Sequence, residues 1–159
     1  MIEILTTGGT IDKVYFDALS EYHIGPTALP DILAENNVHV PHRVRQLMRK
    51  DSLDLTDAAR QIIYDAVAGC DAKKVLVTHG TDTMVETARK LIDISGKTIL
   101  LTGSMQPATL RNSDAEFNIG FALAATQILP PGVYIAMNGE VFDPASTKKD
   151  RSAHRFIQG

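Results

Sequence analysis

Two short turns rich in glycine and threonine follow directly on largely apolar runs. Residues 7–10 read TGGT and follow the run at 2–6, and residues 79–83 read HGTDT and follow the run at 75–77. Continuous apolar runs of this length are typical of strands buried on both faces of a parallel sheet. Because the carboxyl ends of neighbouring parallel strands open onto one crevice, the sequence predicts that Thr10 and Thr81 face the same small ligand.

Helical periodicity and turn signals predict the elements between and after these strands. The strongest pattern covers 57–69, where Thr56 is a suitable N-cap. Three more helices are predicted: over 27–35, from Thr81 or Asp82 to about 92, and over 112–128 with Phe117 and Phe121 inward. Further strands are predicted over 38–48 and 98–101. Asn138 and Gly139 predict the turn of a hairpin formed by 133–137 and 140–142.

Alternation of short buried strands with helices predicts the fold class. It is a three-layer α/β/α sandwich with a doubly wound, mostly parallel, Rossmann-like sheet and a C-terminal β-hairpin. Residues 12–26 lack periodicity, and a connection of that length is often functional. The tail from Asp143 is polar and carries no predicted element.

Length and composition limit the classes of protein that this chain can belong to. With 159 residues and 44% hydrophobic content, residues 1–159 can form one compact domain with a real core. A net charge of −3 gives no general attraction to nucleic acid or an anionic membrane, so a small-molecule partner is expected. The first residues do not resemble a signal peptide, and Cys70 is the one cysteine, so we expect a soluble cytoplasmic protein with a buried thiol.

The chemistry of the two turns has two interpretations. A threonine hydroxyl attacks a carbonyl only with a proton acceptor and with donors for the developing oxyanion, which Asp82 and the amides of Gly8 and Gly9 could help to supply. Alternatively, the first turn is a tight strand exit and the second a helix cap. The five histidines lack metal-site spacing, and residues 8–10 lack a phosphate-binding pattern, so neither metal nor cofactor is expected.

Several motifs, in order, resemble those of the bacterial-type L-asparaginases. They are TTGGTI at 6–11, HGTDT at 79–83, TGSM at 102–105 and NSDAEFN at 112–118. The resemblance covers essentially the whole chain and corresponds to the larger N-terminal domain of the usual two-domain enzymes. It implies cofactor-free hydrolysis of the side-chain amide of L-asparagine by a homo-oligomer, a dimer or tetramer.

The resemblance also implies catalytic roles. Thr10 would be the nucleophile that forms an acyl-enzyme, and Tyr22, on a lid formed by the long loop, would close over the site and hydrogen-bond it. Thr81 would activate or replace Thr10 in one half-reaction, as part of a group with Asp82 and Lys148. Lys149 is a neighbouring candidate, but Thr147-Lys148 matches the family's pattern better.

Substrate-binding roles follow from the same motifs. Asp82 beside Thr81 would bind the α-ammonium group, Ser52 the α-carboxylate, and the backbone carbonyl of Ser104 the amide NH2. Leu53 departs from the family, which usually has a polar residue there, so a weaker hold on the amino-acid end is expected. We also expect the site to lack the acidic residue that a neighbouring subunit's C-terminal domain supplies in the family.

Two other functions remain open at this point. A chain without a partner domain could be a non-catalytic domain that binds aspartate or asparagine, although binding alone requires no nucleophile. A glutaminase, or a transamidating subunit that passes ammonia to a tRNA-linked substrate, would use similar residues.

Overall fold

The computed structural model describes residues 1–159, which form ten strands and four α-helices. The strands are β1 (Ile2–Gly8), β2 (Lys13–Phe16), β3 (Glu21–Ile24), β4 (His42–Lys50), β5 (Lys74–Thr78), β6 (Thr98–Thr102), β7 (Gly132–Met137), β8 (Glu140–Phe142), β9 (Thr147–Asp150) and β10 (Arg155–Gln158). The helices are α1 (Leu29–Glu35), α2 (Asp57–Gly69), α3 (Met84–Lys90) and α4 (Ala115–Ile128). None of the helices is long and apolar enough to cross a membrane.

The central sheet confirms the predicted fold class. Its six strands have the order β4-β1-β5-β6-β7-β8, in which the first five are parallel and β8 is antiparallel. The chain starts at β1, moves outward to β4 and then crosses back to β5, so the direction of winding reverses between β1 and β5. A crevice opens at the carboxyl ends of strands on either side of such a reversal, and ligands commonly bind there.

Helices cover both faces of the sheet because its strands are apolar on both sides. On β5, Val75 and Val77 belong to a buried cluster that includes α2 and α3 residues such as Ile63 and Met84. Leu76 points to the opposite cluster, which includes residues of α1 and α4. Successive side chains of a strand point to opposite faces of the sheet. Both faces are therefore apolar, and helices pack on each of them to form three layers.

Two segments that looked irregular in the sequence form hairpins. Residues 12–26 contain the antiparallel pair β2 and β3, and the polar tail contains the pair β9 and β10. Most of their side chains are exposed, and the few buried ones, such as Thr147 and Phe156, give no apolar alternation that sequence patterns could detect. The predicted turn between β7 and β8 is confirmed, with positive φ at Asn138 and Gly139.

The helices agree with the predictions in position but not in every detail. Thr56 caps α2 as predicted, since its hydroxyl accepts the N–H of Ala59 at 3.1 Å. The prediction that Thr81 or Asp82 caps the next helix is wrong, because α3 begins at Met84. The inward position predicted for Phe117 is also wrong: this side chain is 63% exposed, while the adjacent Asn118 is buried. Strand β4 begins at His42, later than predicted.

Close backbone contact joins the two threonine turns. Gly9 has φ of +83°, and a Cβ at this position would lie 2.5 Å from the backbone nitrogen of Gly80. A Cβ at Gly103, after β6, would clash in the same way with the carbonyl of His79. Three successive strand ends therefore meet through glycines, and no other residue type fits between them.

We expect Gly9→Ala to destabilise the fold by at least about 2 kcal/mol, because a methyl group there adds both strained φ and a backbone clash. Urea denaturation of the purified variant measures this. Gly69→Ala is the matched control, since it lies at the end of α2 with no atom within 4 Å of the added carbon. A Gly9 variant as stable as the Gly69 variant would contradict the assigned contact.

Candidate active site

The crevice between β1 and β5 receives both threonine turns. Thr10 begins a single 3-10 turn, Thr10–Asp12, directly after β1, and Thr81 lies just beyond β5. The contact of Gly9 with Gly80 brings these turns side by side. Thr10 is partly exposed, whereas Thr81 is buried, so the first hydroxyl is the more accessible of the two.

A lysine from the tail hairpin binds the second turn. The Nζ atom of Lys149 donates to the hydroxyl of Thr81 at 2.7 Å and to Oδ1 of Asp82 at 2.8 Å. The lysine side chain is only 12% exposed, so the pair is largely protected from solvent. An amine within hydrogen-bond distance of a hydroxyl has the geometry that proton transfer requires.

The expected contact of Lys148 with Thr81 and Asp82 is wrong. Side chains alternate between the two faces of a strand, and on β9 the buried Thr147 and Lys149 share one face while Lys148 points to solvent. The resemblance to the family favoured Lys148 by its position after a threonine. Only the knowledge that 147–150 is a strand, with Thr147 inward, could have selected Lys149.

The tail hairpin is fixed firmly enough to place this lysine. Phe156 on β10 is buried in the core and packs against Phe142, with ring centroids 6.0 Å apart. Arg89 at the end of α3 donates to the carbonyls of Pro144 and Thr147 at 2.8 and 3.2 Å. The turn between β9 and β10 also brings Arg151 within 3.6 Å of Asp82, a neighbour that sequence reasoning missed.

Ser52 lies against the second turn from another direction. It is buried, and its Cβ and Oγ are 2.7 Å from the place that a Cβ on Gly80 would occupy. Its hydroxyl accepts the N–H of Thr83 at 3.3 Å, and its carbonyl accepts the hydroxyl of Thr83 at 2.7 Å. Leu53 points outward and is 61% exposed, so Ser52 is the member of this segment that lines the crevice.

The loop after β6 carries Ser104, which is buried. The Ser104 hydroxyl donates to the carbonyl of Gln106. Two side chains at the start of α4 hold this loop: Asp114 accepts the N–H of Met105 at 3.0 Å, and Asn118 donates to the carbonyl of Gly103 at 2.9 Å. Both belong to the motif at 112–118, to which sequence reasoning gave no role.

Tyr22 lies on β3, at some remove from the group around Lys149. Its ring packs edge-on against Tyr15, with centroids 5.5 Å apart, and is 48% exposed. It lines an open groove of about 480 Å³ together with Lys13 and Asp51. The expected hydrogen bond from Tyr22 to Thr10 is not formed in this conformation, in which the Tyr22 ring packs on Tyr15.

Known proteins resemble this chain in sequence over nearly its whole length. Residues 1–156 match the family model described as asparaginase, N-terminal. The chain belongs to the asparaginase family. It is 36% identical to a glutaminase-asparaginase of Pseudomonas fluorescens biotype A, covering 88% of this chain and 42% of the relative. It is 30% identical to L-asparaginase 2 of Escherichia coli K12, covering 93% and 46%.

A solved structure also matches this asparaginase-family chain. The thermostable L-asparaginase from Thermococcus kodakarensis superimposes with a TM-score of 0.85 at 26% identity, covering 99% of this chain and 50% of that one. The chain thus spans about half the length of the curated relatives it matches.

A buried histidine supports the HGTDT turn of this asparaginase-family chain. His79 donates from Nδ1 to the carbonyl of Gly80 at 2.7 Å, and its Nε2 accepts the hydroxyl of Thr87 at 2.8 Å. Thr87 accepts in turn from Nε of Arg60 at 3.2 Å. Burial lowers the pKa of His79 to about 4, so the ring is neutral at pH 7 and orients the peptide just before Thr81.

A buried carboxylate supports the TGGT turn. Asp12 is 3% exposed, and its Oδ1 accepts the N–H of Ala28 at 2.8 Å. Burial raises the pKa of Asp12 to about 6, although the hydrogen bonds from Ala28 and Thr27 and the charge of Arg49 act in the opposite direction. Folding thus shifts the two pKa values in opposite directions: it raises the pKa of Asp12 and lowers that of His79.

This difference predicts a measurable effect of pH on stability. A carboxyl whose pKa is raised by folding binds more protons in the folded state, so its contribution to the free energy of unfolding grows as pH falls through about 6. From pH 7.5 to 4 the wild type should therefore gain about 2 kcal/mol relative to Asp12→Asn. His79 has the opposite slope, so the Asn variant should lose stability steadily on acidification.

Urea denaturation at several pH values tests this prediction. Asp31→Asn, at an exposed position on α1, is the control and should parallel the wild type. Identical pH dependence in the wild type and Asp12→Asn would show that Asp12 is not a buried acid.

Proposed function

We propose that this chain carries the machinery that hydrolyses the side-chain amide of L-asparagine to L-aspartate and ammonia. The observation that supports this most directly is the contact of Lys149 with both Thr81 and Asp82, beside the turn that bears Thr10. A helix cap or a strand exit requires no such amine. Family membership and the crevice at the reversal of the sheet point to the same chemistry.

The reaction proceeds through a threonine ester. The Oγ of Thr10 attacks the amide carbon and loses its proton, the C–N bond breaks, and the nitrogen takes up a proton and leaves as ammonia. Water then attacks the ester carbon, which releases aspartate and returns the proton to Thr10. Thr81 and Lys149 supply a proton path next to this carbon. The expectation that the N–H of Gly9 stabilises the oxyanion is wrong, because it donates to the carbonyl of Lys50 at 2.9 Å.

Substrate binding uses groups on the rim of the crevice. Asp82 receives the α-ammonium group; Lys149 and Arg151 approach one of its oxygens, Oδ1, which leaves Oδ2 for the substrate. Ser52 binds the α-carboxylate, and the carbonyl of Ser104 binds the amide NH2. Tyr22 closes over Thr10 when the β2–β3 hairpin moves inward.

The complete site is proposed to lie in a homo-oligomer. This chain spans about half the length of its relatives. The resemblance to the family implies that an acidic group near the substrate comes from a neighbouring subunit. Exposed apolar side chains such as Phe117 and Ile128 on α4 are compatible with burial against another chain. Glutamine is a second candidate substrate, because one relative is named a glutaminase-asparaginase.

Replacement of the two adjacent lysines separates the proposed role from a general charge effect. Lys149→Met should reduce ammonia release from asparagine by at least about 100-fold, since proton transfer contributes that much. Lys148→Met removes the same charge from the solvent face of β9 and should retain near wild-type activity. Equal loss in both variants, with the fold intact by circular dichroism, would contradict the assignment of Lys149.

Replacement of Thr10 tests the nucleophile. Thr10→Val keeps the shape of the side chain and should abolish turnover while asparagine binding, measured by calorimetry, persists. Ammonia release is compared for asparagine, glutamine and buffer alone. Binding without turnover in the wild type would favour a non-catalytic domain, and full activity of Thr10→Val would refute the proposed ester.

A further inference from the structure

Asp12 is attached to three different parts of the structure around the nucleophile turn. Its N–H donates to the carbonyl of Gly9 at 3.1 Å, and its carbonyl accepts the N–H of Gly25 at 2.9 Å. Its carboxylate accepts the N–H of Ala28, at the start of α1, at 2.8 Å. One buried residue thus links the turn with Thr10 to the segment that follows the β2–β3 hairpin.

The hairpin has few other attachments. The hairpin begins just after Asp12 and ends just before Gly25. Because the N–H of Gly25 donates to the carbonyl of Asp12, both ends of the hairpin are held at Asp12. Beyond this point Lys13 forms a partly exposed ion pair with Asp51 at 3.4 Å, and its carbonyl accepts the hydroxyl of Thr109 at 3.4 Å. Exposed ion pairs contribute little, so the buried contacts of Asp12 dominate the base of the hairpin.

We propose that Asp12 is a positioning residue whose carboxylate controls how readily the β2–β3 hairpin opens, and through it the approach of Tyr22 to Thr10. The hairpin part of this inference stands on the contacts of Asp12 alone. Its consequence for turnover rests on the proposed asparagine hydrolysis.

Burial of Asp12 determines whether protonation of its carboxylate favours the open or the closed hairpin. The groups that face the carboxylate are the N–H of Ala28, the hydroxyl of Thr27 and the guanidinium of Arg49 on β4, and the Lys13–Asp51 ion pair lies at the hairpin base. Opening would hydrate Asp12 and return its pKa from about 6 toward the ordinary 3.8. Because the closed form binds the proton more tightly, protonation favours closure, and ionisation above pH 6 favours opening.

Hydrogen exchange measures opening without reference to catalysis. Protection factors of the Gly25 and Ala28 amides, corrected for intrinsic exchange, should fall up to about tenfold from pH 5 to pH 7.5 in the wild type, the ratio that pKa values of 6 and 3.8 give by linkage. The core amide of Leu76 reports global unfolding and must remain more protected than both.

Two variants at this position should move exchange in opposite directions. Asp12→Asn is uncharged and still offers an acceptor, so protection of Gly25 and Ala28 should be independent of pH and higher than in the wild type at pH 7.5. Asp12→Ala leaves the Ala28 N–H without its partner, so protection should fall at both pH values. The control Asp31→Asn should behave as the wild type. Equal protection in all four proteins would overturn the inference.

Kinetics then test the link to turnover. If Asp12 acts through Tyr22, Asp12→Ala and Tyr22→Phe should each reduce kcat/KM by about tenfold or more, and the double variant should lose no more than the worse single variant. Independent, multiplicative losses would overturn the link. The expected exchange results without any ammonia release would refute the proposed function and leave the hairpin control intact. Ammonia release without the expected exchange effects would refute the hairpin control and leave the proposed function intact.

Discussion

The contact between the backbones at Gly9 and Gly80 is the constraint on which the site depends. Because Gly9 has no Cβ, its backbone approaches that of Gly80 directly, and because Gly80 has none, Ser52 packs against it. The side chains that follow, Thr10 and Thr81, therefore enter one crevice. Packing on both faces of the sheet supports this approach, since β1 and β5 are fully buried neighbours. The close approach of these two backbones therefore determines which side chains share the crevice.

Charge in the crevice comes from distant parts of the chain. Asp82 follows β5, whereas Lys149 and Arg151 come from the tail hairpin, which Phe156 and Arg89 hold against the main body. The interior groups behind the turns are of a different kind: His79 is neutral, and Asp12 is an acid that burial makes easier to protonate. The charged side chains thus line the crevice, while buried polar groups hold the backbone.

Sequence patterns predicted the parts of the molecule that burial dictates. Continuous apolar runs gave β5 and β6, Thr56 gave the start of α2, and Asn138 with Gly139 gave the turn between β7 and β8. The two hairpins bury too few side chains to give a periodic signal, since on the tail hairpin only Thr147 and Phe156 are buried. For that reason the choice between Lys148 and Lys149 depended on a strand that the sequence did not reveal. The roles of Asp12 and Asn118 depend on partners brought together only by folding.

The position of Lys149 after every strand of the central sheet affects how the molecule is made. During synthesis on the ribosome, the sheet and both threonines emerge first, and a nascent chain ending at residue 142 would already possess the proposed nucleophile. The amine arrives only with the last hairpin. Under the proposed mechanism, reactivity is thus withheld from partly translated chains, and truncation products that retain the whole sheet would be inert.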